Sequence, residues 1–313
     1  MSTSHTDDPL RVADWVYLRL CVGSSVGGMD HLIRETIPAV VELEGHDRWF
    51  FLRYVDELGP HLRLRLRAEP GRRDELEPAA EALCAAGLDE LPLLPPSSYR
   101  PMVLPMWGGG AQPGLLGLPP IAPAFGVLAG TYEPEVDVYG GPAGVAVAET
   151  LFQPSSEIAV VILRLEQDGV VSRKTLVPPL MQRVLAVVAP GEEPDGFWGR
   201  YAQHWLGHDP TGAEVWRTRF GAKAEELADR GVPVVADTGE LPAEAGTLLV
   251  RWEDELRRTS EAYEELGVTG EKRAELAFHF AHLMNNRLGL LPVEEAYMAT
   301  LLGLDADRRV VAA

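Results

Sequence analysis

The sequence predicts an α+β fold: a mainly antiparallel sheet flanked by helices, with a helix-rich C-terminal half. Three observations carry this. The first ninety residues switch between period-two and helical apolar patterns in the order strand, helix, strand, strand, helix. After Phe152 one helical pattern follows another. The chain has 313 residues, 46% hydrophobic and 24% charged, enough to bury a core without disulfides or metals. The expected organisation is one domain over 12–313 behind a disordered tail, 1–11.

Trp15 to Cys21 alternates and reads as a strand, Gly23 to Gly28 as a turn, and Met29 to Leu43 has helical spacing through Leu32, Ile33, Ile37 and Val40. Trp49–Val55 and His61–Arg67 read as a hairpin, with Gly59 and Pro60 breaking the chain in the turn 56–60. Arg72–Ala86 reads as a helix. Residues 92–130 are rich in Pro and Gly and read as an insertion or pocket loop. Residues 131–150 hold an acidic segment, a double glycine and small residues. A helix capped by Ser155 or Ser156 is expected to start near Glu157. Further helices fit Lys174–Val188, Phe197–Trp205, Ala213–Asp229, Pro242–Leu266 and Arg273–Arg287.

The formal charge of −19 argues against nucleic-acid binding. A polar N-terminus without an apolar core argues against a signal peptide, and no uninterrupted apolar run approaches a membrane span, so a cytoplasmic protein is expected. Cys21 and Cys84 are too few for a disulfide framework and read as buried apolar side chains. Phosphate-loop, GxGxxG, GxSxG and CxxC patterns are absent.

Against that acidic background one basic strip stands out. In His61-Leu-Arg-Leu-Arg-Leu-Arg67, strand alternation puts His61, Arg63, Arg65 and Arg67 on one face and three leucines on the other. Four potential cations side by side are tolerable if solvated, paired, or given an anionic or carbonyl ligand. Of the neighbouring Arg53 and Tyr54, only one can join the strip, and Arg53 is the expected one. If 133–137 is extended, Glu133, Glu135 and Asp137 share a face that could pair with it. His279, His282 and Asn286 share one face of a helix, a weak metal signal and a better proton-transfer candidate.

Taken in order, three segments resemble a known family: Trp49-Phe-Phe-Leu-Arg-Tyr with Gly-Pro-His-Leu-Arg-Leu-Arg65; Tyr132-Glu-Pro-Glu-Val-Asp-Val-Tyr-Gly-Gly141 with Glu149 and Phe152; and His282-Leu-Met-Asn-Asn-Arg287. They resemble the C-terminal elimination domain of lantibiotic dehydratases and its stand-alone thiopeptide relatives, over roughly 12–290. The resemblance implies chemistry on ribosomally made, modified peptides. The family's activities are glutamate elimination from glutamylated Ser or Thr, pyridine formation in thiopeptides, and, more distantly, amino-acid addition from tRNA to a peptide C-terminus. In eliminating members the strand arginines matching Arg63 and Arg65 bind the glutamyl carboxylate. Glu135 matches the family's acidic residue, and His282 its histidine. One departure matters: eliminating members have Arg directly before Tyr-Gly-Gly, where this chain has Val138. Loss of that charge-assisted bond, worth ~1.5–3 kcal/mol, favours the pyridine synthase branch.

The expected function is therefore a thiopeptide pyridine synthase, a cofactor-independent cyclase/lyase acting on a leader-bearing, dehydrated, azole-containing precursor peptide. The alternatives are a stand-alone glutamate eliminase or a non-catalytic leader-binding partner. His282 and Tyr139 are the expected proton-transfer groups, with Glu135 setting geometry. Arg53, His61, Arg63, Arg65, Arg67, Asn286 and Arg287 are expected to hold substrate, and Trp107 to line the pocket. Neither metal nor cofactor, nucleic acid nor membrane is expected as partner; a homodimer is left open.

Overall fold

The computed structural model describes residues 10–25, 27–93, 123–207, 210–231 and 239–312. Most of the predicted insertion, Trp107 included, and residues 1–9 of the predicted tail lie outside them. Leu10 and Arg11 belong to the fold: Leu10 is buried, and Arg11 pairs with Asp14 and donates to the Ala68 carbonyl. The described residues form two compact units, one from 10–93, 123–164 and 261–268, the other from 165–260 and 269–312.

The first unit is built on a four-stranded antiparallel sheet in the order β2-β3-β1-β4, with β1 Trp15–Val22, β2 His46–Asp56, β3 Gly59–Ala68 and β4 Phe125–Ala129. β3 is thus an interior strand. Leu62, Leu64 and Leu66 are fully enclosed, worth ~1.5–3 kcal/mol each. Only Glu57 and Leu58 stand between Asp56 and its partner Gly59, so Gly59 and Pro60 begin β3 instead of lying in the turn. Gly59 takes a φ of 82°, and the Asp56 carboxylate accepts from Leu58 N. β4, hidden by the Pro/Gly-rich composition around it, went unread in the sequence.

The helix expected over 29–43 is interrupted. α1 (Gly28–His31) and α2 (Ile37–Val41) flank a π-helical turn, Leu32–Thr36. Pro38 has no N–H to give Arg34, and the Arg164 guanidinium donates to the Arg34 carbonyl at 2.7 and 3.2 Å. α3 (Arg73–Asp89) follows β3 as expected. α4 (Pro142–Gln167) begins fifteen residues before the predicted start at Glu157. Ser155 and Ser156 are not caps: they lie inside α4, buried, with hydroxyls donating to the Phe152 carbonyl, and Ser156 also accepts from Phe51 N. By length and composition α4 could cross a bilayer, but 67% of its apolar window is buried, as in a core helix.

The second unit is helical. α5 (Arg173–Val188) is capped by Ser172, which accepts from Lys174 N. It is followed by α6 (Pro194–Leu206), α7 (Pro210–Asp229), α8 (Ala243–Glu265, of which 261–265 belong to the first unit), α9 (Glu271–Leu288) and α10 (Pro292–Ala312). Gly289, left-handed, ends α9. α10 was not anticipated, although Pro292 and the acidic pair Glu294 and Glu295 are start signals.

Candidate functional site

Register decides which side chains share the basic face. Directly opposed residues in an antiparallel pair point to the same side. Arg63 faces Arg19 on β1 and Leu52 on β2; Arg65 faces Tyr17 and Phe50; His61 faces Cys21 and Tyr54. Arg53 is opposite Leu62, so it lies on the leucine face, where it pairs with Asp30 at 2.6 Å. The expectation that Arg53 joins the strip is corrected: Tyr54 does, with the Arg63 Cζ 3.3 Å from its ring centroid. Arg19 also adds a cation that alternation in β1 would have shown.

The four predicted side chains differ in freedom. Arg67 is held by Asp47 through two bonds of 2.7 and 3.1 Å, so it is engaged rather than open to substrate. His61 is fully buried; its Nδ1 contacts the Gly59 carbonyl and its Nε2 accepts from Arg63 Nε. Burial pushes its pKa down, so it is a neutral anchor for Arg63. Arg63 is half-buried, 3.6 Å from Asp56. Arg65 is 7% exposed, and its Nε and Nη1 are shielded with no hydrogen-bond partner among the described residues. Its guanidinium lies 4.8, 5.2 and 5.1 Å from the rings of Tyr17, Phe50 and Tyr132. Burial lowers its pKa from the usual arginine value, with Tyr132, Tyr17 and Glu135 pulling the other way. A buried guanidinium with spare donors suits a carboxylate or polarised carbonyl.

Beside it lies a buried acid. Glu149 on α4 is 1% exposed, accepts from the Tyr132 hydroxyl at 2.9 Å and sits 3.7 Å from Arg48 Nη1. The segment 131–135 is irregular and 136–140 is a turn, so Glu133, Glu135 and Asp137 are exposed but do not form the extended acidic face expected. Gly140 and Gly141 have φ of 81° and 95°, as a tight turn requires. Tyr139 is buried, its ring 5.5 Å from Phe152 and edge-on to it.

In the second unit, α9 presents His282 with its side chain 25% exposed. Its Nδ1 is 3.0 Å from Glu295 Oε1 on α10. Glu295 is fully buried and also accepts from Tyr201 and, at 3.2 Å, from Asn285 Nδ2. The His282 ring lies 4.4 Å from Trp205, tilted by 32°. A carboxylate holding Nδ1–H fixes the tautomer and leaves Nε2 as the proton acceptor, the arrangement of a general base. Glu295 was missed because nothing local marks which of Glu294 and Glu295 turns inward. His279 is pushed down to about 4 by burial, then by His282 and Lys272, which disfavours it as a base at neutral pH. Arg287 is 1% exposed and donates to the Leu283 carbonyl one turn back. Asn286 is half-buried. Among the described residues no group of three or more His, Cys, Asp or Glu is placed to hold a metal.

The predicted site thus resolves into two clusters, the arginine face in the first unit and the His282–Glu295 pair in the second. The family model for the C-terminal region of lantibiotic biosynthesis dehydratases matches residues 15–305. The chain belongs to this family. Solved structures similar to this lantibiotic-dehydratase-type chain include the tRNA-dependent lantibiotic dehydratase MibB from Microbispora sp. 107891, at 24% identity and a TM-score of 0.61, matching 96% of this chain but only 29% of MibB. The pyridine synthase TbtD from thiomuracin biosynthesis matches at 20% identity and a TM-score of 0.67, over 96% of this chain and 99% of TbtD. TsrL matches at 16% and 0.56, over 96% and 95%. At these identities the likeness is one of fold. No curated protein matches the chain.

Proposed function

We propose that this family member is a thiopeptide pyridine synthase. The observation that carries the reading is Val138 before the Tyr-Gly-Gly turn, where eliminating members place a cation for a glutamyl carboxylate. The fold match over nearly all of TbtD supports it. In the proposed reaction one dehydroalanine, with the iminol form of the preceding amide, acts as an azadiene toward a second dehydroalanine. Two C–C bonds close a six-membered ring. The former amide oxygen leaves as water, and the nitrogen on the second α-carbon leaves as the C-terminal amide of the leader, giving an aromatic ring with no oxidant. Holding two arms of one peptide together can supply ~7–11 kcal/mol of the barrier.

Arg65, with Arg63 beside it, would hold peptide carbonyls, and His282 Nε2 would move protons in tautomerisation and dehydration. A second reading has one observation in its favour: the spare donors of Arg65 also suit a glutamyl carboxylate. Incubation with a leader-bearing peptide carrying two dehydroalanines and azoles, read by mass spectrometry, separates the two. A macrocycle plus leader amide supports pyridine synthesis. An unchanged peptide, with glutamate lost from a glutamylated analogue, overturns it in favour of elimination.

A further inference from the structure

We propose that Glu149, acting through Tyr132, is a positioning residue that holds the Arg65 guanidinium in place with its N–H donors left for the peptide. This deepens the pyridine synthase reading and rests on it for the identity of the peptide. Arg65 is buried, yet no carboxylate pairs with it directly among the described residues; a direct pair would stabilise the cation and also occupy the donors. The nearest buried acid stands one side chain away. Glu149 accepts from the Tyr132 hydroxyl at 2.9 Å, and the face of that same ring lies 5.1 Å from Arg65 Cζ.

A phenol donating to a carboxylate becomes richer in electron density, and a richer ring attracts a guanidinium more strongly. Arg48, 3.7 Å from the second oxygen of Glu149, keeps the carboxylate on the Tyr132 side, and Arg67 is engaged by Asp47. Burial pushes the Glu149 carboxyl up, while the Tyr132 bond and the charges of Arg48, Arg67 and Arg65 hold it down. Trp15 and Phe50, with centroids 4.9 and 6.0 Å from Tyr132, fix the ring so that the effect is passed on rather than absorbed by motion. Tyr132 and Glu149 therefore serve Arg65 without touching substrate.

The test uses the full chain, labelled with 15N. The Arg65 Nε–H signal is assigned by its loss in Arg65→Lys, and its exchange with water is compared in Glu149→Gln and Tyr132→Phe. Exchange at least about fivefold faster in both variants is expected. With the doubly dehydrated peptide, KM should rise about tenfold in each variant with kcat nearly unchanged, and the further rise in an Arg65→Lys background should be under about twofold. Tyr132→Phe carries the same test if Glu149→Gln does not fold. Unchanged Arg65 exchange in the folded variants overturns the proposal, as do KM losses that add fully in the Arg65→Lys background. If the wild type forms no pyridine, the functional reading fails and the exchange measurement alone decides this one.

Discussion

Replacing Glu295 by Gln tests whether the buried carboxylate makes His282 a base. The carboxylate accepts from three groups: His282 Nδ1 at 3.0 Å, Asn285 Nδ2 at 3.2 Å and the Tyr201 hydroxyl. Hydrogen bonds to an ionised acceptor contribute ~1.5–3 kcal/mol and neutral ones ~0.5–1.5. If the new amide keeps its oxygen toward Nδ1, one such difference of about 1.4 kcal/mol lowers kcat roughly tenfold. If it turns its NH2 toward Nδ1, it selects the tautomer with Nε2 protonated; in serine proteases the equivalent exchange costs about 10⁴. The expected kcat loss therefore lies between those limits, with KM nearly unchanged. The assay is a time course of macrocycle formation by mass spectrometry, with 15N spectra of the His282 ring to report the tautomer directly. A kcat within about twofold of wild type, with Nδ1 still protonated, would refute the role given to Glu295.

Four further outcomes are expected. Glu295→Ala leaves the buried Tyr201 hydroxyl without its acceptor, at about 1–3 kcal/mol, and removes the shorter of two bonds from Asn285 Nδ2, which keeps the Tyr201 oxygen at 3.4 Å, so the melting temperature should fall sharply in calorimetry. His279 titrates near 4 when folded and 6.5 when unfolded, so the unfolded state binds more protons between these values. Its contribution is fully present above pH 6.5 and lost as pH falls toward 4, by on the order of 1–3 kcal/mol; urea titrations at pH 7 and 4.5 should show this loss reduced in His279→Gln. A β-carbon at Gly144 would come within 1.7 Å of the Tyr139 carbonyl, so Gly144→Ala should destabilise the turn into α4 by at least about 2 kcal/mol in the same titrations. Val138→Arg restores the cation of eliminating members and should raise glutamate loss from a glutamylated peptide, read by mass spectrometry, by about tenfold.

The sequence alone determined the order strand, helix, strand, strand, helix, the strip on β3, and helical periods that became α5 to α9, because each is a local alternation of apolar and polar residues. It also marked His282 and the double-glycine turn, which the chain spells out in a few neighbouring residues. Elements whose formation depends on partners were hidden. β4 is a short strand that forms by pairing with β1, and the first half of α4 is a run of small residues whose helicity comes from burial, so Ser155 and Ser156 read as caps. Only tertiary structure put Tyr54 instead of Arg53 beside the strip, since a register one residue off reverses every side chain. It alone closed Arg67 with Asp47 and left Arg65 with spare donors. It alone turned Glu295 onto His282 from thirteen residues away, because pairing between helices depends on how they pack, which no local pattern records.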